Sequence, residues 1–390
     1  MRHDPQELKQ LQSLPLEAKI RMTQERIKVW YESWWRFKIE NLDTGKIRWA
    51  TFDMRDRYEP PIAENEFALE AYPGSVYVSF SGGKDSTVLK HIVDGMYDDV
   101  PSVFVNTGLE YPEIQKFAKA QKNVTVLRPE MRFDQVLKTY GYPIISKEVS
   151  QQLYEVRRSA ELHKIDQRQT RPYNRKFNPE SSYCQKNPSF CLQKWDFMID
   201  ANFNASHMCC AVMKKNPAKK FEKTSGRKPI VGTLAEESRM RKTRWLINGC
   251  NAFDGERPRS APLSFWTEQD ILHYIKKYDV PYCSVYGDIR IKPHGEYASD
   301  DQIDMIDYLG CYEPDDTLET TGCDRTGCIF CMFGCHLEKE PNRFQRLKET
   351  HPRQYEYCIN GGEMVDGKWQ PNKEGLGLGK VLDYIGVKYD

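Results

Sequence analysis

Residues 75–86 read SVYVSFSGGKDS, a β-branched and aromatic run that ends in a glycine turn with serine on either side. Val76, Tyr77, Val78 and Phe80 suit a short strand, and Val88, Leu89, Ile92, Val93 and Met96 beyond the turn have the spacing of a helix. Between them, Gly82 and Gly83 allow a tight turn and let the backbone approach a ligand without a Cβ in the way. The first amides of the helix face the contents of that turn, and the helix dipole favours an anion there. Lys84 adds a point charge, while Ser81 and Ser86 add hydroxyl donors. The pattern is a phosphate loop without Walker A spacing, since no G-x-x-x-x-G-K-[ST] occurs here. GLGLGK at 375–380 lacks the Ser or Thr as well and reads as a loop.

Outward from this loop the same alternation continues. Ser102–Asn106, Val124–Leu127 and Pro229–Gly232 read as further strands, and segments around 114–121 and over 133–140 as helices. Thr267–Tyr278 reads as a helix with Thr267 as N-cap and Asp270 at N3. Strands and helices in alternation predict an α/β fold: a parallel twisted sheet with helices on both faces and ligands bound beyond the carboxyl ends of the strands. Residues 1–40 read as helix, with Trp30, Tyr31, Trp34, Trp35 and Phe37 as a packing anchor, and 41–72 as an inserted loop or hairpin. Three regions are expected: an N-terminal extension over 1–72, a nucleotide-binding α/β domain over 73–290 and a cysteine-rich segment and tail over 291–390. Within the second, 150–228 is polar and basic and has few strand signals.

The chain of 390 residues carries 57 Lys and Arg against 56 Asp and Glu, a formal net charge of +1. A uniformly basic surface for nucleic acid or anionic membrane is thereby excluded. Mean hydropathy is -0.72, no apolar run approaches the roughly 18 residues of a membrane span, and the opening MRHDPQELKQ lacks the apolar core of a signal peptide. A cytoplasmic protein is expected, whose 12 cysteines serve as thiols and metal ligands rather than disulfides. Cys323, Cys328, Cys331 and Cys335 follow a C-x4-C-x2-C-x3-C spacing, which suits either zinc or an iron–sulfur cluster. The adjacent pair Cys209-Cys210, followed by Lys214, Lys215 and Pro217, forms a second group. Cys184 and Cys191 read as plain thiols or a minor metal site, and Cys250, Cys283, Cys311 and Cys358 carry no readable assignment.

The loop at 81–86 resembles the signature of the PP-loop ATP pyrophosphatase superfamily, the adenine nucleotide α-hydrolases, whose fold is of the HUP-like kind. TGLEYPE at 107–113 resembles the second-strand motif of its phosphoadenosine phosphosulfate (PAPS) reductase branch. GTLAEESRMR at 232–241 resembles that branch's phosphate-contacting segment, and PLSFW at 262–266 also matches. The resemblance implies a nucleotide site of Ser81, Gly82, Gly83, Lys84, Asp85, Ser86, Thr107, Gly108, Ser238, Arg239 and Arg241, with Lys84, Asp85 and Arg241 as its catalytic residues. In adenosine phosphosulfate (APS) reductases a Cys-Cys pair joins a later C-x2-C around a [4Fe-4S] cluster, and Cys209, Cys210, Cys328 and Cys331 match those positions. Cys323 and Cys335 are extra candidates that could replace one or both members of the 209/210 pair, and a four-cysteine site drawn wholly from 323–335, which a structural zinc could also occupy, is the alternative. The branch's Glu-Cys-Gly-Leu-His motif has no counterpart, the nearest thiol being Cys358 in EYCING.

Two activities and a third role are therefore expected of such a chain. One is ATP-dependent activation of a substrate, with release of AMP and pyrophosphate, for sulfur transfer to tRNA, DNA or a small molecule. It would use Mg2+ placed by Asp85 and a sulfur donor such as a cysteine desulfurase, with Lys214, Lys215, Lys219, Lys220, Arg227 and Lys228 tracking a nucleic-acid backbone. The other activity is reduction of APS or PAPS with external thiols. The third role is a non-catalytic nucleotide-binding iron–sulfur sensor or scaffold.

Overall fold

The computed structural model of the protein describes residues 3–292 and 316–390, so Cys311 lies outside the described residues. The chain packs as two compact units with interleaved segments. Met1–Asn106, Tyr111–Leu127 and Ala218–Thr326 form the first, and Thr107–Glu110, Arg128–Pro217 and Gly327–Asp390 the second.

The first unit is built on a six-stranded sheet with Val76–Phe80 near its centre. This strand pairs in parallel with Ser102–Val105 on one side and Lys228–Val231 on the other. Val124–Leu127 extends the sheet one way and Arg259–Ser260 the other, both parallel, and Asn251–Ala252 closes that edge antiparallel. Val76, Tyr77 and Val78 are consecutive yet almost fully buried, as happens when both faces of a parallel sheet are covered. The strand order reverses between Val76–Phe80 and Lys228–Val231, where such sheets open a crevice at their carboxyl ends. SGGKDS leaves from one of these two strands and GTLAEESRMR from the other. The α/β architecture expected from the sequence is thus present.

The helix Lys84–Asp94 buries Val88, Leu89, Ile92 and Val93, the stripe that its spacing gives. The helix Glu268–Lys277 begins in a capping box, where Asp270 Oδ2 accepts from the Thr267 amide at 2.6 Å and Thr267 Oγ1 accepts from the Asp270 amide at 3.3 Å. Lys19 on the helix Leu16–Ser33, only 2% exposed, donates to both Asp270 oxygens at 2.7 and 2.8 Å, tying the N-terminal extension to the core.

Residues 34–40 depart from the helical expectation. The helix stops at Ser33, and Trp34–Asn41 is the central strand of an antiparallel sheet with Ile47–Asp53 and Glu66–Tyr72. Trp34, Phe37 and Ile39 are buried, and aromatic and β-branched side chains pack better on a pleated surface than against a preceding helical turn. The expected anchor is real, since Trp30 and Trp34 pack edge to face at 5.4 Å in the core, but it bridges a helix and a strand. The segment 41–72 supplies the other two strands.

The second unit joins the basic stretch to the C-terminal region. Its helices include Phe133–Tyr140, Lys147–His163, Arg343–Thr350, Pro352–Ile359 and Leu378–Tyr384, and Met332–Phe333 pairs in parallel with Ile144–Ile145. GLGLGK, read as a loop, enters the last of these helices at Leu378, with Gly377 as its N-cap in the left-handed region. Cys184 and Cys191, read as thiols or a minor metal site, form a disulfide with Cα atoms 4.9 Å apart. Ser182–Lys186 and the turn after it bring the two together, a proximity that linear spacing alone does not reveal. Among the described residues, no helix is long and apolar enough to cross a membrane.

Candidate functional site

In the first unit the phosphate loop has the backbone its sequence requires. Gly82 sits at φ +75°, and a Cβ there would lie 3.0 Å from Ile114 Cγ2. Gly83 is the N-cap of Lys84–Asp94 and has no side chain to cover the helix amides. Ser81 and Ser86 close the turn from within. Their hydroxyls are 3.0 Å apart, Ser86 Oγ donates to Gly83 O at 2.9 Å, and Ser81 Oγ accepts from the Gly83 amide at 3.3 Å. The Lys84 amide donates to the Tyr286 hydroxyl at 3.2 Å, which also bonds Thr326 Oγ1 at 2.7 Å. Burial pushes that phenol up to about 12, so it stays protonated at neutral pH.

Lys84 is 5% exposed. Its ammonium donates to Asp324 O at 2.5 Å and pairs with Glu268 at 2.8 Å. Asp85 is partly buried, and that burial raises its carboxyl above the usual range against the opposing pull of Lys84, Arg325 and Arg241. Ser238 caps the helix Arg239–Asn248 by accepting from the Arg241 amide. Arg241 pairs with Glu237, which also takes Arg325 at 3.3 Å and the Leu234 amide at 3.0 Å. Arg239 is exposed and makes no ion pair with a described residue. Gly232 lies against the same loop: a Cβ there would be 3.0 Å from Asp85 O and 3.1 Å from Ser86 Cα.

The residues around Lys84 that the sequence did not mark are Glu268, Tyr286, Asp324 and Thr326. Glu237, in the turn just before the Ser238 cap, was not marked either, although it lies within the GTLAEESRMR segment that was.

In the second unit Cys209, Cys210, Cys328 and Cys331 line one cavity of about 330 Å3 with Leu109, Phe133, Pro143, Met213 and Lys214. A local irregularity helps to aim the first pair. The helix that starts at Cys209 widens to a π-turn over Ala211–Lys215, where the Asn216 amide reaches Ala211 O, before continuing as Asn216–Ser225. Pro217 lies just beyond; it lacks an N–H and its ring would clash with the carbonyl four residues back, a conflict the wider turn relieves. The second pair sits in a tight turn closed by the Cys331 amide on Cys328 O at 3.1 Å. Ile329 donates to Leu109 O at 2.8 Å, and Arg343 Nη1 donates to Cys331 O at 2.8 Å.

Cys209 and Cys210 have sulfurs 4.0 Å apart. The Cys209 thiol, with Lys147, Lys214 and Lys215 nearby, stabilises the Cys210 thiolate and lowers it below the ordinary thiol value, while Cys209 is raised in turn. Burial pushes Cys328 up to about 11 and also raises Cys331. Lys214 is disfavoured by burial, but Cys328, Glu110 and Cys210 outweigh that and raise it. Neither Cys323 nor Cys335 lines the cavity. Cys323 belongs to the first unit, its amide bonded to Val285 O, and buried Cys335 donates its thiol to Met332 O at 3.0 Å.

Thr107 and Gly108, expected at the nucleotide, belong to the second unit. Thr107 donates from its amide and hydroxyl to Glu110, and Glu110 lies 3.8 Å from Lys214. Leu109 of the same turn lines the cysteine cavity. Of the basic residues expected to track nucleic acid, Lys214 faces that cavity, Arg227 donates to Val76 O at 2.8 Å and Lys228 lies 4.9 Å over the Trp34 ring. Lys215, Lys219 and Lys220 are exposed. Cys358 is fully buried, and burial raises its thiol well above the ordinary value.

Four thiols on one largely apolar cavity are a donor set that fits a [4Fe-4S] cluster. Among the described residues no three His, Cys, Asp or Glu side chains converge to hold a single metal ion.

Comparison with known proteins gives relatives of two kinds. An uncharacterized protein of Methanocaldococcus jannaschii is 36% identical over 74 residues, a stretch that spans only 18% of this chain and 18% of that relative. PAPS reductase of Candida auris in a phosphate complex is 15% identical with a TM-score of 0.29, covering 57% of this chain and 82% of that one. The U34-tRNA thiolase NcsA of Methanococcus maripaludis with its [4Fe-4S] cluster is also 15% identical with a TM-score of 0.29, covering 76% of this chain and 74% of that one. The Phosphoadenosine phosphosulfate reductase domain matches residues 75–332, which take in the phosphate loop, GTLAEESRMR and all four cavity cysteines, and the chain belongs to that family.

Proposed function

We propose that the protein activates an acceptor with ATP for sulfur transfer, holding a [4Fe-4S] cluster on Cys209, Cys210, Cys328 and Cys331. The observation that carries this reading is the gathering of those four thiols on one cavity, in a chain whose family uses adenine nucleotides and sulfur. An acceptor oxygen attacks the α-phosphorus of ATP, the bond to pyrophosphate breaks, and the acceptor is left as its adenylate. A sulfide-level donor then attacks the activated carbon, and AMP departs with the acceptor's oxygen. The cluster would supply iron at which sulfide is held.

The chain's own contribution is positioning and charge neutralisation. The Gly83 and Lys84 amides and the Ser81 and Ser86 hydroxyls are the donors for the leaving phosphates. Lys84 neutralises the charge that develops there, exchanging Glu268 and Asp324 for phosphate oxygens. Asp85 is suited to Mg2+, because a cation opposes the burial that disfavours its charge. Arg241, oriented by Glu237, is the clamp for the α-phosphate. The buried state of Cys358 speaks against it as the thiol of a sulfonucleotide reductase.

The test is pyrophosphate release from ATP by anaerobically purified protein, with tRNA, DNA oligonucleotides or no acceptor. Lys84→Ala is expected to abolish release while the brown colour and the melting curve stay as in wild type. Sulfite formation from APS or PAPS with thioredoxin, in the absence of any pyrophosphate release, would overturn the reading.

A further inference from the structure

A cavity of about 290 Å3 lies within the second unit, between the helix Lys147–His163, the chain over 198–205 and the strand Lys368–Gln370. Leu153, Met198, Ile199 and Phe203 give it buried apolar walls, and Arg157, Asn204 and Lys368 add polar groups. Among the described residues no carboxylate lines it, and it has no lining residue in common with the cysteine cavity. Arg157 stands four residues after Leu153, so both project from one face of the helix. An apolar pocket with a few convergent polar groups is the usual form of a small-ligand site.

Two of these polar groups are incomplete on the protein side. The Arg157 guanidinium donates from Nη2 to Tyr140 O at 3.0 Å, and its Nε lies 3.7 Å from the exposed Glu161. Its Nη1 is buried and has no acceptor among the described residues. Asn204 Oδ1 is buried as well and has no donor among them. Lys368 donates to Ala201 O at 3.2 Å, which uses one of the three N–H groups of its ammonium. A buried donor and a buried acceptor in one cavity are costly unless something satisfies both. Burial lowers Arg157 from the ordinary guanidinium value, against the pull of Glu161 and Tyr154, and a bound anion would oppose that shift.

We infer that this cavity binds a small apolar hydroxycarboxylate, whose carboxylate takes the Arg157 and Lys368 donors and whose hydroxyl donates to Asn204 Oδ1. Charge selects the carboxylate, since two cations line the cavity and no carboxylate of the described residues does. The same two cations disfavour an ammonium, so the group that donates to Asn204 is neutral, and a hydroxyl is the smallest that serves. The apolar walls accept a branched alkyl chain, and the volume, at the low end for ligand pockets, restricts the ligand to a small molecule. The site does not depend on which reaction the phosphate loop performs.

The probe is 2-hydroxy-4-methylpentanoate, titrated calorimetrically into the full chain. Two analogues are titrated beside it: 4-methylpentanoate, which lacks the hydroxyl, and L-leucine, which carries an ammonium in its place. The hydroxy acid is expected to bind tightest, about tenfold tighter than 4-methylpentanoate. Arg157→Gln and Lys368→Met are each expected to weaken it by about tenfold or more. Asn204→Ala is expected to bring the hydroxy acid down to the level of 4-methylpentanoate while 4-methylpentanoate itself is unchanged, a difference that general loss of structure would not give. Lys368→Met keeps most of its alkyl stem, so it carries the carboxylate test should Arg157→Gln melt early through loss of its bond to Tyr140 O. Three results overturn the inference: no heat from the hydroxy acid with wild-type protein, leucine binding as tightly as the hydroxy acid, or affinity unchanged in Lys368→Met and Asn204→Ala with wild-type melting curves.

Discussion

Replacing Gly232 by alanine tests the phosphate-loop assignment without removing a single functional group. The glycine lies where the strand Lys228–Val231 gives way to the Arg241 segment, and its backbone is not in the left-handed region, so an alanine carries no conformational strain of its own. The added Cβ would meet Asp85 O at 3.0 Å, Asp85 C at 3.1 Å and Ser86 Cα at 3.1 Å. All three are backbone atoms, so no side chain can swing aside, and the first turn of Lys84–Asp94 must yield by a few tenths of an ångström. Overpacking of this kind costs about 1–3 kcal/mol. If that strain falls wholly on the anion cradle, nucleotide affinity drops about 5- to 150-fold. Calorimetric titration with a non-hydrolysable ATP analogue measures the drop, and thermal unfolding followed by circular dichroism separates it from general loss of fold. Gly255→Ala is the control: its Cβ would meet nothing within 4 Å at φ +99°, so it costs backbone strain in a loop and leaves nucleotide affinity alone. Affinity within about twofold of wild type in Gly232→Ala, with an unshifted melting curve, would refute the claim that this contact sets the geometry of the nucleotide site.

Cys328→Ser and Cys331→Ser, made separately, are expected to bleach the visible absorption of anaerobically purified protein, whereas Cys335→Ser keeps it; a colourless wild type with one zinc per chain would defeat the cluster assignment. The metal-free protein is expected to lose stability as pH rises from about 9, the ordinary thiol value, toward about 11, because folded Cys328 keeps a proton that the unfolded chain releases in that window. The slope is about 1.4 kcal/mol per pH unit for each such thiol, and loaded protein should lack it; urea melts across that range decide. Lys19→Met leaves Asp270 with its capping bonds but no cation, and is expected to lower stability in urea by up to about 3 kcal/mol. A change below about 0.5 kcal/mol would mean that the bridge merely offsets its own desolvation.

Local chemistry made part of the fold readable. Ser75–Val93 holds a strand, a glycine turn and a helix stripe in consecutive residues, and Thr267 with Asp270 signals a helix start three residues apart. The antiparallel sheet of Trp34–Tyr72 was hidden because five of the eight residues in Trp30–Phe37 are aromatic and fit neither period cleanly, which blurs the boundary between helix and strand. Partners of Lys84 were hidden for a different reason: Glu268, Tyr286 and Asp324 are distant in sequence, and only the folded chain brings them near. The cysteines show both situations. The spacing of Cys328 and Cys331 was visible, but the position of Cys335 suggested a fourth ligand where the structure has a thiol bonded to Met332. Thr107–Glu110 was recognised as a motif, yet Leu109 and Glu110 face the cysteine cavity and its lysine.

The resting phosphate loop is already satisfied from within. Tyr286 takes the first helix amide, and Asp324 and Glu268 take the ammonium of Lys84. On the proposed function, a nucleotide enters by substitution, displacing a phenol, a carbonyl and a carboxylate together. A ligand with a single acceptor, such as chloride, gains too little to replace all three. A polyphosphate offers several oxygens at fixed separations and can satisfy these donors at once. On that reading the internal partners set a threshold on denticity, filtering anions before any contact with the base is made.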